Sequence, residues 1–216
     1  MSANASIEKI TKKRSGTAIR AKGQRRVNEI LQAARDILVE DGYTQFSLRN
    51  VAGRAGIHLS NLQYYFSGKD ELIHGLLEFI AGSYEDKYEE IFRELPEDPA
   101  TRFEAVLRYL VSDIANPGTR RFFIQLWALL ESSDAHSGVL LNELYALQLN
   151  YLTDLVHKVN PQLSPGKVQQ RAAMISAMIE GMMLMLGDAD EKTADNEAGI
   201  EDEMLKQFMR IAMDEQ

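Results

Sequence analysis

The side chains best placed to do chemistry lie in one short stretch, residues 57–66, where polar residues interrupt an apolar stripe of helical spacing. Ile57, Leu62 and Phe66 form the stripe and would face a core. Between them lie side chains that can donate or accept hydrogen bonds: Ser60, Asn61, Gln63 and Tyr64. Asn and Gln can pair bidentately with adenine. The stretch therefore indicates recognition by hydrogen bonding.

No arrangement typical of an enzyme accompanies this stretch. The chain contains neither GxSxG nor GxGxxG, and it has no phosphate-binding loop. No two histidines have the spacing of helical zinc ligands, although there are four to consider: His58, His74, His136 and His157. Ser132, Asp134 and His136 include triad residue types, but they share one short polar turn in which nothing orients them. We therefore predict a protein that is not an enzyme and binds no metal.

Two short helices joined by a sharp turn are predicted between Ser47 and Phe66. Ser47 is a good N-cap for the first helix, because its hydroxyl can accept an otherwise unpaired backbone N–H. Val51 and Ala52 give that helix an apolar inner face. Gly56 lies where the chain must turn, since glycine enters the left-handed region without a Cβ penalty. The pattern predicts a helix-turn-helix, whose second helix can lie in a DNA major groove.

Longer helices precede and follow this motif. Residues 22–41 carry apolar side chains at spacings of three and four, which predicts an amphipathic helix. A second long helix is predicted over residues 69–95, with Ser67 and Asp70 resembling a capping box at its start and Pro96 ending it. About 25 residues at 1.5 Å per residue make a helix roughly 38 Å long. It could therefore join the motif mechanically to the rest of the chain.

The order of residues in and around the motif is more specific than any one of them. Without gaps, the chain has Val51-Ala52, Ala55-Gly56-Ile57, Leu62, Tyr64-Tyr65-Phe66, Lys69 and Leu72. In this order, residues 22–80 resemble the DNA-binding region of the tetracycline-repressor (TetR) family of bacterial transcriptional regulators. The resemblance implies an all-α fold of about nine helices. An N-terminal three-helix helix-turn-helix domain would be joined by a long helix to a helical ligand-binding and dimerisation domain.

The resemblance also implies three segments and a set of DNA contacts. The segments are a flexible basic arm over residues 1–21, a DNA-binding domain over 22–70 and a regulatory and dimerisation domain over 71–216. The residues expected to contact DNA are Ser47, Arg49, His58, Leu59, Ser60, Asn61, Gln63, Tyr64, Tyr65 and Lys69. In the family, the helix beginning after Ser47 lies against a phosphate, which its dipole favours.

Some of these positions depart from the family pattern or leave alternatives open. Lys69 opposes the dipole of its helix, so either a DNA phosphate or simple solvent exposure would explain it. His58 either caps the second helix poorly or contacts a phosphate. Because His58, Leu59, Ser60 and Gln63 replace residues common in the family, the operator sequence is not predicted.

Charge is unevenly distributed along the 216 residues, whose net charge is −8. Residues 1–70 hold 12 Lys/Arg and 6 Asp/Glu and so carry +6, whereas residues 71–216 carry −14. A basic end and an acidic body suggest that one end meets phosphate. The basic residues of the arm either form a solvated tail or reach DNA beside the docked helix. With no cysteine, no signal peptide and no apolar run of the ~18 residues that a membrane span needs, we expect a cytoplasmic protein without a membrane partner.

Five further helices are predicted in the acidic body: 100–115, 119–132, 137–159, 165–186 and 198–213, with an exposed loop over 187–199. The resemblance implies an unknown small-molecule effector among the central helices. Candidate residues for its cavity are Phe103, Phe123, Trp127, Tyr145, Met174 and Met178. The last two helices would form a homodimer interface with Ala173, Ala177, Met182, Met185, Leu205, Phe208 and Met209. The same apolar helix could instead be the central core helix of a monomer.

These features predict a sequence-specific DNA-binding transcriptional regulator. It would be a homodimeric repressor of a palindromic operator in double-stranded DNA, with a small-molecule effector and no other cofactor. The effector would prefer a state in which the long helix has shifted, so that the operator is released. The alternative is a helical interaction or ligand-sequestering module that does not bind DNA, which the acidic body and the departures from the family pattern keep open.

Overall fold

The computed structural model describes the backbone of residues 17–132, 137–185 and 194–214, and the side chains of 21–132, 142, 144–185 and 199–214. Within these ranges the chain forms nine α-helices, one 3-10 helix (Tyr43–Gln45) and no strand, which confirms the all-α prediction. The α-helices are α1 Thr17–Glu40, α2 Leu48–Arg54, α3 Leu59–Tyr65, α4 Lys69–Arg93, α5 Pro99–Ala115, α6 Pro117–Glu131, α7 Ser137–Val159, α8 Pro165–Met185 and α9 Ala194–Met213. In the described ranges, none of these helices is both long and apolar enough to cross a membrane.

Two helices begin a full turn or more before the position that the sequence predicts. Helix α1 starts at Thr17, inside the segment expected to be a flexible arm, and α9 starts at Ala194, inside the expected loop. Both extra segments are rich in Ala and polar residues that tolerate a helix, and polarity alone does not end one. The rest of the arm (1–16), the polar turn at 133–136 and the loop residues 186–193 lie outside the described residues.

The first of two compact units takes its described residues from the ranges 17–87 and 121–132 together with the backbone of 137–141, and the domain boundaries expected at residues 21 and 70 stay a prediction. In it, α1 packs on α2, and α2 packs on α3. The apolar stripe of α1 is buried over its whole length together with the inner faces of the next two helices: Val27, Ile30, Leu31, Ala34, Ile37, Leu38, Val51, Ala52, Leu62 and Phe66. Hydrophobic burial therefore holds α2 and α3 in a fixed arrangement.

The turn between α2 and α3 has the backbone conformation that the sequence predicts. Gly56 has a φ of 65°, in the left-handed region. The next residue, Ile57, donates its backbone N–H to the carbonyl of Ala52 over 2.9 Å, which closes the end of α2. An added Cβ at Gly56 would meet no atom within 4 Å, so its backbone angle rather than crowding calls for glycine there.

Gly56→Ala is expected to lower the free energy of unfolding by about 1–2 kcal/mol, because an L-residue is strained in the left-handed region. Gly53→Ala is the matched control, since Gly53 lies within α2 and also has open space around its Cα. That change should raise the free energy of unfolding by about 0.5–1 kcal/mol. Urea titrations of the two variants and the wild type measure both effects, and equal effects of the two substitutions would contradict the argument.

The second compact unit takes its described residues from the ranges 88–120, 142–185 and 194–214. Helices α5, α8 and α9 pack on one another there and bury Phe103, Val106, Leu107, Ile175, Ile179 and Phe208. Tyr88 stacks on Tyr151 with ring centroids 4.4 Å apart, and its ring meets the edge of Tyr109 at 6.0 Å. The guanidinium of Arg171 donates to the carbonyl of Ala212 over 3.2 Å, so α8 satisfies an acceptor at the end of α9.

Candidate nucleic-acid interface

Helix α3 divides its residues sharply between core and solvent. Leu62 has no exposed surface, whereas Tyr64, two residues further along, is 57% exposed. The polar side chains of Ser60, Asn61 and Gln63 are also exposed. A seven-residue helix with one buried stripe and an outward polar face has the shape needed to enter a major groove and contact base edges.

The start of α2 is fixed by side-chain hydrogen bonds. The hydroxyl of Ser47 accepts the backbone N–H of Asn50 over 3.2 Å, which confirms Ser47 as the N-cap. The side-chain amide of Asn50 donates to the carbonyl of Gln45 over 2.7 Å and ties the helix to the preceding turn. The first N–H groups of a helix have no acceptor within it, and the positive end of the dipole favours an anion. Arg49, exposed in the first turn, adds positive charge.

His58 and its neighbours are arranged around the start of α3. His58 is exposed and occupies the N-cap position with extended backbone angles, but its side chain makes no capping hydrogen bond. His58 therefore occupies the cap position without capping through its side chain, and the phosphate contact stays a prediction. Leu59 and Tyr65 are half-buried. Tyr65 meets Tyr64 edge-to-face at 5.1 Å, which orients both rings.

The junction of α3 and α4 differs in detail from the prediction. Ser67 donates both its backbone N–H (2.6 Å) and its hydroxyl (2.7 Å) to the Oε2 atom of Glu71. The carboxylate that caps the chain before α4 is thus that of Glu71, one residue beyond the predicted Asp70. Because α4 begins at Lys69, Glu71 rather than Asp70 occupies the third helical position, from which a carboxylate reaches back to the chain before the helix. Lys69 itself is exposed beside this junction.

Arg54 is a basic residue of the region that binds the protein's own carboxylates. Its guanidinium bridges Glu40 and Asp41, with 2.6 Å between Nη2 and the Oδ2 atom of Asp41. The hydrogen bond with Glu40 raises the pKa of Arg54 above its usual value. The contact joins the end of α2 to the end of α1. No local pattern in the sequence indicates this contact, because its partners belong to different parts of the chain.

The structure distributes the predicted cavity residues over both compact units. Phe123 and Trp127 belong to the first, and Phe103, Tyr145, Met174 and Met178 belong to the second. Met174 is 53% exposed, and its assignment to an effector cavity stays a prediction. Tyr145, Phe123, Trp127 and Met178 are half-buried, and Phe103 is fully buried.

The predicted dimer residues also fall into different environments. Met182, Leu205 and Phe208 are buried in the core of the second unit, and their assignment to a surface between subunits stays a prediction. Met209 is half-buried, whereas Ala173 and Ala177 are exposed. Together with neighbours of matching helical spacing these two form an outward apolar surface, here called the α8 stripe: Ala173, Met174, Ala177, Gly181, Leu184 and Met185.

Comparisons with known proteins agree with this arrangement. Residues 30–76 match the family model of bacterial regulatory proteins, tetR family. An uncharacterised HTH-type transcriptional regulator from the dhlA 5′ region of Xanthobacter autotrophicus is 26% identical over 160 residues, which cover 71% of this chain and 73% of that protein.

Two solved structures share the fold. The fatty acid degradation regulator FadR from Bacillus halodurans has a TM-score of 0.65 and 16% identity, covering 84% of this chain and 97% of its own. The multidrug binding protein EbrR, solved with imidazole, has a TM-score of 0.62 and 16% identity, covering 88% and 97%. With the exposed polar face of α3 and the buried core beneath it, these matches identify residues 30–76 as a helix-turn-helix domain of the tetR family of bacterial regulatory proteins, on a chain that shares its overall fold with these solved structures.

Proposed function

We propose that the protein is a homodimeric repressor that binds a palindromic operator in double-stranded DNA and releases it when a small-molecule effector binds. The observation that carries the proposal is the polar face of α3, held outward by the fully buried Leu62 and Phe66. A short helix braced in this way keeps its orientation as it enters a groove. The regulator would act in the cytoplasm, where the chromosome is.

The exposed side chains suggest a division of roles at the DNA. Asn61 and Gln63 would read base edges, because a side-chain amide offers one donor and one acceptor in the pattern that adenine presents. Ser47, Arg49 and Lys69 would contact phosphates at the starts of α2 and α4, with His58 beside them. Leu59, Ser60 and Tyr65 would complete the contact surface around Tyr64.

The α8 stripe supports the proposed homodimer. Leu184 is 62% and Met185 is 85% exposed, which leaves large apolar side chains in water unless another surface covers them. An added Cβ at Gly181 would meet no atom within 4 Å, and with Ala173 and Ala177 it leaves room for a second helix to approach closely. A second copy of the same stripe is the matching surface that a twofold dimer requires. Two copies of α3 would then read the two halves of a palindrome.

Polar groups inside the protein support an effector site in the body. In the second unit, burial raises the pKa of Glu180 to about 7, and a hydrogen bond from Gln148 lowers it in part. Among the described residues, the Oε2 atom of Glu180 is buried without a hydrogen-bond partner, as is the indole N–H of Trp127 in the first unit. Unsatisfied buried groups are unfavourable, so a ligand that bonded to one of them would gain free energy. The imidazole bound to EbrR is consistent with small-molecule binding on this fold. No other cofactor is proposed.

Replacing both Tyr64 and Lys69 with Ala should weaken binding to an operator selected from the protein's own genome by about 30-fold or more, while the dimer persists. The change removes an exposed ring from the reading face and one phosphate contact. Gel-shift titrations at several salt concentrations measure the affinity, and sedimentation measures the dimer. The wild type should bind less tightly as salt increases, and the slope should be shallower for the variant.

The matched control is Lys158→Ala, which removes an exposed positive charge that is paired with Asp154 on α7. It should leave operator affinity unchanged at moderate salt. A helical module that only sequesters a ligand or binds another protein would behave differently. Its wild-type form would ignore the selected duplexes, and the double substitution would change neither DNA binding nor the dimer.

A further inference from the structure

A side chain of α6 contacts the turn that precedes α2. The Oε1 atom of Gln125 accepts the backbone N–H of Tyr43 over 2.9 Å, across 82 positions of sequence. Both residues belong to the first compact unit and both are half-buried. A buried backbone donor needs an acceptor, and the geometry provides this one from a helix of the body.

The turn is shaped to receive this side chain. Gly42 has a φ of 83°, and an added Cβ there would lie 3.1 Å from Oε1 of Gln125. Glycine is favoured at this position by its backbone angle, and a Cβ there would also press on the side chain of Gln125. The contact is therefore close on two sides, with a hydrogen bond to Tyr43 and packing on Gly42.

From the turn, further hydrogen bonds lead to the start of α2. The 3-10 helix Tyr43–Gln45 follows directly, and the carbonyl of Gln45 accepts the side-chain amide of Asn50 over 2.7 Å. The backbone N–H of Asn50 in turn donates to the hydroxyl of Ser47 over 3.2 Å. Bonds and short covalent segments therefore connect Gln125 to the end of α2 that is proposed to meet a phosphate.

Aromatic contacts hold the same part of α6 in place. The guanidinium carbon of Arg35 lies 5.5 Å from the ring centroid of Phe122, whose side chain is only 1% exposed. Phe123 packs against Tyr84 of α4 with ring centroids 6.4 Å apart. Gln125 thus projects from a segment that is packed on α1 and α4, which makes it a firm support for the turn.

We propose that Gln125 is a positioning residue for DNA binding, which sets the orientation of the α2 start through Tyr43, Gln45 and Asn50. It contacts no DNA itself. A change in α6 would reach the DNA-binding face through this hydrogen bond, so Gln125 also makes operator affinity depend on the conformation of the body. The inference rests on the proposed function, since it concerns how the same operator is bound.

Gln125→Leu and Gln125→Glu form the central comparison. Leucine has a side chain of similar size to glutamine but no hydrogen-bond acceptor. Glutamate keeps an acceptor oxygen for the N–H of Tyr43. We expect operator affinity to fall roughly five- to tenfold for Gln125→Leu and to stay within about twofold of wild type for Gln125→Glu. Fluorescence anisotropy with the selected operator duplex, at a temperature where circular dichroism reports fully folded protein, measures both. Should Gln125→Leu fail to fold, Gln125→Met takes its place in the same series.

A double-mutant cycle separates positioning from general structural damage. Asn50→Ala breaks the next link, so combining it with Gln125→Leu should weaken binding no more than about twofold beyond either single change. Asn61 lies outside this series of hydrogen bonds, so Asn61→Ala is the control. The fold-loss of operator affinity that it causes should multiply with the fold-loss caused by Gln125→Leu. The inference would be overturned if the losses of operator affinity for Gln125→Leu and Asn50→Ala simply multiplied in the double variant. It would also be overturned if folded Gln125→Leu bound the operator as tightly as wild type. Either result would leave the proposed function intact. Failure of the wild type to bind any selected duplex would instead remove the proposed function.

Discussion

Ala177→Glu is expected to convert the proposed homodimer into monomers and to weaken operator binding by about 100-fold or more. Ala177 is exposed in the middle of the α8 stripe, between Met174 and Gly181. A second copy lying on this stripe would bury two carboxylates close to each other, which is strongly unfavourable without a partner charge. A monomer presents only one α3 to the palindrome and loses the gain in effective concentration that a linked second copy provides.

The matched control for Ala177→Glu is Ser112→Glu, which adds the same charge at an exposed position of α5. Sedimentation velocity reports the oligomeric state, and gel-shift titration reports operator affinity. The thermal unfolding of the isolated protomer should be similar for the two variants, because neither side chain lies in the core. A dimer that persists in Ala177→Glu, with unchanged affinity, would exclude the α8 stripe as the interface.

Phe66→Ala is expected to lower the free energy of unfolding by about 3–5 kcal/mol. Phe66 follows α3 directly, has no exposed surface and lies against Gly75 of α4. A Cβ at Gly75 would come within 2.6 Å of the Cε1 atom of the ring, so the ring fills the space above a bare glycine. Removing it leaves a cavity at the point where α3 and α4 meet, and the loss of packing adds to the loss of hydrophobic burial.

Tyr64→Ala is the comparison for this second substitution. It removes an aromatic ring two residues away that is 57% exposed, so the free energy of unfolding should change by less than about 1 kcal/mol. Its operator affinity should fall nevertheless, whereas Phe66→Ala should weaken DNA binding mainly through the unfolded fraction. Urea titrations of both variants at one temperature decide the matter. Similar losses of stability would mean that the two rings do not have the separate roles assigned to them.

The DNA-binding region could be predicted well from the sequence because its determinants are local. The hydroxyl of Ser47 accepts a hydrogen bond from Asn50, three residues further along the chain. Glycine at position 56 is favoured by the positive φ of that residue alone. The spacing of Leu62 and Phe66 alone indicates which side of α3 is buried. The exposed positions of Asn61 and Gln63 follow from the same spacing. The capping partner of Ser67 was predicted one residue away from its actual position, since it depends on where α4 begins.

The acidic body was predicted less completely, and α8 gives the reason. Its second half is apolar nearly all round, so periodicity carries no information about which side packs inward. Only the positions of α5 and α9 decide that Met182 is buried and Met174 is exposed. The same applies to Phe208, which the sequence analysis placed between subunits and the structure places in the core.

The sequence by itself determined the helical class, the helix-turn-helix and the polar face of α3, because caps, turns and amphipathic spacing act over at most a few residues. The tertiary structure decided which apolar surface of α8 stays exposed and which residue of the body accepts a hydrogen bond from the turn before α2. The hydrogen bond from Tyr43 to Gln125 joins residues 82 positions apart. No local preference of either residue specifies such a partner, and only the packing of α6 beside the turn brings the acceptor to the donor.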